Sequence, residues 1–129
     1  MRTYEDLRKY SISVPIGNYY EKRFDDDTKL TKIHVPRFDT SIKLLLKQRV
    51  DLVAGPEISL NYHMRKQGFD KTAFGNSFLL STTAAWIQAS HRSKNFTDEV
   101  RRKLYKTTNN MHEDGFIGNL MHKYKRHYV

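Results

Sequence analysis

The stretch from Leu44 to Lys66, LLLKQRVDLVAGPEISLNYHMRK, decides the fold. It reads as the end of an amphipathic helix, a short buried strand, and a new helix opened by a proline. The strand runs over residues 50–54, with Asp51 inside it, and leads into Ala54-Gly55-Pro56-Glu57. In an open α/β sheet such a turn stands at the carboxyl end of a strand, where ligands bind. Ser11 to Pro15 leads into Ile16-Gly17-Asn18-Tyr19 in the same way. Two turns of this kind on one sheet edge point to a site for a small polar solute. No catalytic set accompanies them.

Working outward, short apolar runs alternate with helical patterns through the first eighty residues. Residues 5–9 read as a short helical turn. Tyr10, Ile12 and Val14 alternate with serines up to Pro15, as a strand does. Residues 17–24 read as a helix start ended by Asp25-Asp26-Asp27. Leu30 to Val35 reads as a second strand closed by Pro36. Asp39 is a candidate N-cap for a helix over 40–49, whose Ile42, Leu45 and Leu46 share a face. Pro56 suits the first turn of a helix over 56–67, and Gly68 stops it. The order β-α-β-α-β-α predicts an α/β three-layer sandwich with a mostly parallel sheet and right-handed crossovers.

The remainder is different. Phe78 to Ala89 (FLLSTTAAWIQA) is a long β-prone run that includes Trp86, too long for one strand of a small sheet. It predicts a crossing strand over about 82–89. Thr97-Asp98-Glu99 then opens a helix with Val100, Leu104 and Met111 on one face. Glu113-Asp114-Gly115 breaks it, and a last helix carries Phe116, Leu120 and Tyr124 at i, i+4, i+8. Each helix has one apolar stripe and needs a surface to pack on. The division predicted is 1–80 and 81–129.

Composition bounds the function. The 129 residues suit one domain with an appendage, enough for a real core. Mean hydropathy is −0.74. With no cysteine there is no disulfide, thiolate nucleophile or cysteine zinc site. No apolar run reaches the length of a membrane span, and no apolar stretch of a signal peptide follows Met1-Arg2-Thr3. The net charge is +9, which raises nucleic acid or an anionic membrane as partners. The bases are interleaved with acids, net +4 over residues 1–85 and +5 over 86–129, and this argues against a nucleic-acid footprint. The six histidines have no metal-ligand spacing, and no nucleophile elbow is present, so neither an enzyme nor a cofactor is expected. Asn95-Phe96-Thr97 fits a glycosylation sequon and reads better as a loop and a helix cap.

The order of motifs resembles the bacterial extracellular solute-binding proteins of family 3, the type II periplasmic binding-protein fold of amino-acid ABC transporters. Glu5-Asp6-Leu7 with Ile12-Ser13-Val14 is similar to the family's entry strand. Gly17-Asn18-Tyr19 stands at its glycine-threonine turn, and Arg37-Phe38-Asp39-Thr40 to Leu46 at its capped helix. Gln48-Arg49-Val50-Asp51-Leu52-Val53 resembles "G-R-(V/A)-D-A-V", with glutamine for glycine. Ala85 to Ala89 and the stretch from Val100 to Tyr124 resemble the returning strand and closing helices. The resemblance spans nearly the whole chain, each motif being weak by itself.

The resemblance implies that residues 1–80 are the second lobe of such a protein and residues 81–129 the closing part of an incomplete first lobe. It implies capture of a small polar or anionic solute by hinge closure, delivery to an ABC transporter permease or a sensor partner, and a periplasmic location with the leader absent from this chain. The ligand-binding residues it implies are Gly17, Asn18, Tyr19, Thr40, Gly55 and Glu57. Gly17-Asn18-Tyr19 would offer backbone N–H groups at a helix N-terminus to an anion; an ordinary turn needing glycine accounts for them equally. Amino-acid binders carry an aspartate where Pro56 stands, so Glu57 would have to serve, or it only complements the helix dipole. A homodimer built from residues 78–129, or a tail folded back on residues 1–80, is expected. The same fold as a sensory module of a membrane receptor, and a basic nucleic-acid-binding module, are the rival readings.

Overall fold

The computed structural model describes residues 2–82, 90 and 92–128. A 3-10 helix, Tyr4–Lys9, precedes strand β1, Ser11–Pro15. Helix α1 (Lys22–Asp26), strand β2 (Thr31–Val35), helix α2 (Phe38–Leu46), strand β3 (Leu52–Val53) and helix α3 (Glu57–Lys66) follow. A 3-10 turn, Lys71–Ala73, comes next. Helices α4 (Asp98–Glu113) and α5 (Phe116–Tyr128) close the chain. The chain divides into two compact units, one of residues up to Thr82 and one of residues Thr83–His127.

The first unit is the expected α/β body. Its sheet has the order β2-β1-β3, with both pairings parallel. Strand β1 is central because its residues suit burial on both faces. Ile12, Ser13 and Val14 are all buried, as a central parallel strand requires. Alternation along β1 sends Ile12 and Val14 to one face, where they join Tyr4, Leu7, Phe24, Leu30 and Ala54 in a core. Ser13 points to the other face, where its hydroxyl meets that of Ser41 in α2 at 2.6 Å, both fully buried. Ile42 of α2 and Met64 of α3 are fully buried as well, and α2 packs on α3. Helical elements therefore cover both faces of the sheet, which is the three-layer arrangement.

Several boundaries differ from those the sequence predicts. The strand expected over 50–54 shrinks to Leu52–Val53. The Asp51 carboxylate accepts from both the backbone N–H (2.9 Å) and the hydroxyl (2.8 Å) of Ser11, taking the place of a ladder carbonyl. The helix expected from Gly17 begins only at Lys22, because Gly17 is left-handed at φ 84° and the chain turns there first. Helix α2 starts at Phe38 rather than residue 40, so Asp39 lies in its first turn and Arg37 is the N-cap. Pro56 is the N-cap of α3 rather than its first residue. Residues 78–82 hold no regular structure, although Phe78 and Leu80 pack on the core. The Ser81 hydroxyl donates to the Tyr20 carbonyl at 2.8 Å. Trp86 and residues 83–89 of the expected crossing strand lie outside the described residues.

Helices α2 and α3 end in the same way. After α2, Gln48 N–H donates to Leu45 O and Arg49 N–H to Leu44 O; after α3, Gly68 N–H donates to Arg65 O and Phe69 N–H to Met64 O. This is the Schellman closure, which needs a left-handed residue one past the C-cap. Gly68 supplies it at φ 87°, while at the equivalent position Gln48 is held at φ 55°.

In the second unit, the Thr97 side chain caps α4 by accepting from Val100 N–H, so the sequon's threonine is a cap. Gly115, at φ 81°, separates α4 from α5. Among residues 90 and 92–125 none is buried.

Candidate functional site

An open cleft of about 590 Å³ lies at the carboxyl ends of β1 and β2. Pro15 and Asn18 line it from the end of β1, Pro36 to Asp39 from the start of α2, and His63, Lys66 and Gln67 from the last turn of α3. The location follows from topology. In a sheet of order 2-1-3 the first crossover runs from the central β1 to β2 and the second from β2 past β1 to β3, and crevices open beyond the carboxyl ends of such strands. The crevice beside β3 is already occupied. A Cβ on Gly55 would stand 2.7 Å from Phe38 Cε1, so Phe38 packs directly over that backbone. The open space is thereby displaced toward β2 and α3.

The walls are aromatic and the rim is polar. The Phe38 ring stacks on His63 with centroids 5.9 Å apart, and Tyr62 meets His63 edge-on at 5.1 Å. Lys66 Nζ lies 5.2 Å from the Tyr62 ring centroid, an attractive placement for a cation. Arg37 pairs with Asp39, Nε to Oδ1 at 3.1 Å. The cleft thus presents two cations, one carboxylate, an imidazole and two side-chain amides. Asn18, Arg37 and Lys66 are exposed. Such a rim suits a small anionic or zwitterionic solute and contains no nucleophile paired with a base. Among the described residues no group of three His, Cys, Asp or Glu could hold a metal ion. No described helix is long and apolar enough to cross a membrane.

The six residues named from the sequence separate here. Asn18 lines the cleft, and Gly17, its neighbour in sequence, is not among the lining residues. Tyr19 is 72% exposed and is not among the lining residues. The backbone donors expected of a helix N-terminus at this turn are absent, because the helix begins later and its own acids serve its N-terminus. Asp25 accepts from the Tyr20 and Glu21 N–H groups at 3.0 and 2.9 Å, and Glu21 accepts from Arg23 N–H. Thr40 is half-buried in the first turn of α2, its N–H facing the Asp39 carboxylate at 3.0 Å. Gly55 is explained by the close approach of Phe38. Glu57 is exposed in the first turn of α3 and does not line the cleft.

Tyr20 is partly buried against the core and does not line the cleft. It sits edge-on against Phe24 at 5.9 Å, its hydroxyl faces the Ala54 carbonyl at 3.4 Å, and burial pushes its phenol up to about 12. Tyr4 is raised to about 12 as well, by burial and then by its hydrogen bond to Asp27.

Sequence reasoning missed His63, Lys66 and Gln67. Their signal was present in the spacing: 63, 66 and 67 stand at i, i+3, i+4 and so share one face of α3. The first turn of that helix follows a carboxyl strand end, where parallel sheets place ligands, whereas these residues lie at the helix's other end. The chain matches no family model, no curated protein and no solved structure.

Proposed function

We propose that the first unit is a solute-binding module that holds a small polar, anionic solute in the cleft between the β1 and β2 termini and the last turn of α3. The observation that carries this reading is the convergence of Asn18, Arg37, Lys66 and Gln67 on one open cleft over an aromatic floor. Lys66 and Arg37 supply positive charge, Asn18 and Gln67 supply neutral donors, and Phe38 with His63 supplies a flat apolar surface. The resemblance to solute-binding proteins supports the same reading and adds its consequence, delivery of the solute to a transporter or a sensor partner. Because much of the rim faces solvent, a bound solute keeps part of its hydration, and affinity on the order of millimolar is expected.

An NMR titration of the full chain with phosphate, acetate and glutamate tests this. Saturable shifts should concentrate on the amides of Asn18, Arg37, Lys66 and Gln67 and should weaken in Lys66→Gln. Shifts scattered over the basic surface, or none by 50-fold molar excess of each anion, would refute the assignment.

A further inference from the structure

Helix α5 carries an exposed apolar face. Phe116, Leu120, Met121 and Tyr124 are 52, 43, 42 and 50% exposed, four large apolar side chains on one helix. At 3.6 residues per turn these residues and Ile117 occupy one arc of about 140°. Lys123 and Lys125 fall just outside its two margins, both exposed. From Phe116 to the end of the chain there is no acidic residue, while Lys123, Lys125 and Arg126 are basic. Helix α4 does not shield this face along its length, and it buries no residue of its own.

The pattern says what covers the face. A second copy would bring two arms of like charge together, since residues 86–129 carry net +5. An acidic surface is favoured instead, and the lysines bordering a wide apolar arc suit a planar one. Their stems can lie along the apolar boundary while their ammonium groups reach outward to anionic headgroups. A basic amphipathic helix of this type lies in the interface of a bilayer without spanning it. The geometry points to α5 as a peripheral docking helix for an anionic lipid surface.

The test is flotation of the full chain with phosphatidylcholine vesicles, with and without one-third phosphatidylglycerol, at low and high salt, with far-UV circular dichroism alongside. The chain should float with the anionic vesicles, be released by salt, keep its helical content on binding, and ignore pure phosphatidylcholine. Lys123→Gln with Lys125→Gln should lower partitioning roughly tenfold or more, since each cation near the surface contributes strongly. Leu120→Asp should abolish it, and the lysine variant guards against misfolding as the cause. Absence of flotation, or flotation unchanged by both variants, would overturn the inference. So would a lipid-free dimer in light scattering that Leu120→Asp dissociates, which makes the face a self-association surface. Tighter retention by a short DNA duplex than by the vesicles would overturn it equally.

Discussion

Replacing Gln48 with glycine should stabilise the protein, and the reason lies in the two matched helix ends. Both α2 and α3 close with the same pair of backbone hydrogen bonds, and both need a left-handed residue. Gly68 meets that need without strain, whereas Gln48 adopts φ 55° against the steric preference of an L-residue. The left-handed conformation costs about 1–2 kcal/mol for a residue with a Cβ. Glycine recovers this but loses about 0.5–1 kcal/mol through the greater freedom of its unfolded chain. The difference runs from about 0 to 1.5 kcal/mol, and its middle, about 0.5–1 kcal/mol of stabilisation, is the expectation because the exposed Gln48 side chain contributes little packing. For a unit of this size that corresponds to a rise in Tm of about 2–8 °C.

The mirror change, Gly68→Gln, should cost a similar amount. Nothing lies within 4 Å of the Cβ it would add, so the penalty is conformational alone. Urea and thermal denaturation of the three proteins, followed by circular dichroism, read both effects. A neutral or destabilising Gln48→Gly, or two variants that shift in the same direction, would refute the reasoning.

Other expectations follow from particular contacts. Ser13→Ala or Ser41→Ala alone leaves one buried hydroxyl without its partner and should cost about 1–3 kcal/mol, while the double variant should cost much less than the sum; a double-mutant cycle in urea measures the coupling. Gly55→Ala drives a methyl to 2.7 Å from the Phe38 ring and should cost about 1–3 kcal/mol, with partial recovery in a Phe38→Leu background, read by urea midpoints. Asp51 is held below the usual carboxylate range by the Ser11 N–H and hydroxyl. Its folded pKa is depressed, so its stabilisation is fully present above the unfolded value of about 3.9 and is lost progressively as pH falls from there through the lower folded value. Urea midpoints at pH 7 and pH 3.5 should therefore differ less in Asp51→Ala than in the parent, and an identical difference would show the interaction to be without consequence.

The elements of the first unit were legible because each has a local signal. Alternation and a closing proline marked β1 and β2, an apolar face marked α2, and Pro56 and Gly68 bracketed α3. Thr97 and Gly115 bounded the helices of the second unit in the same way. Parallel pairing followed from the alternation of strands with helices, since only a crossover can join parallel neighbours. What failed were ends decided by side chains distant in sequence. Asp51 reaches forty residues back to Ser11 and shortens β3, which no window around residue 51 reveals.

The cleft was legible only in part. The rule that ligands bind at carboxyl strand ends led to Asn18, but it also led to Gly55 and Glu57, and packing excluded those. Phe38 fills the space over Gly55 and leaves the opening on the far side, against the last turn of α3. Periodicity and turn chemistry are properties of neighbouring residues, and the sequence by itself determines them: the helices, the strands, their alternation and the amphipathic face of α5. Which crevice stays open depends on how Phe38, His63 and Gly55 share one volume, and only tertiary packing decides that.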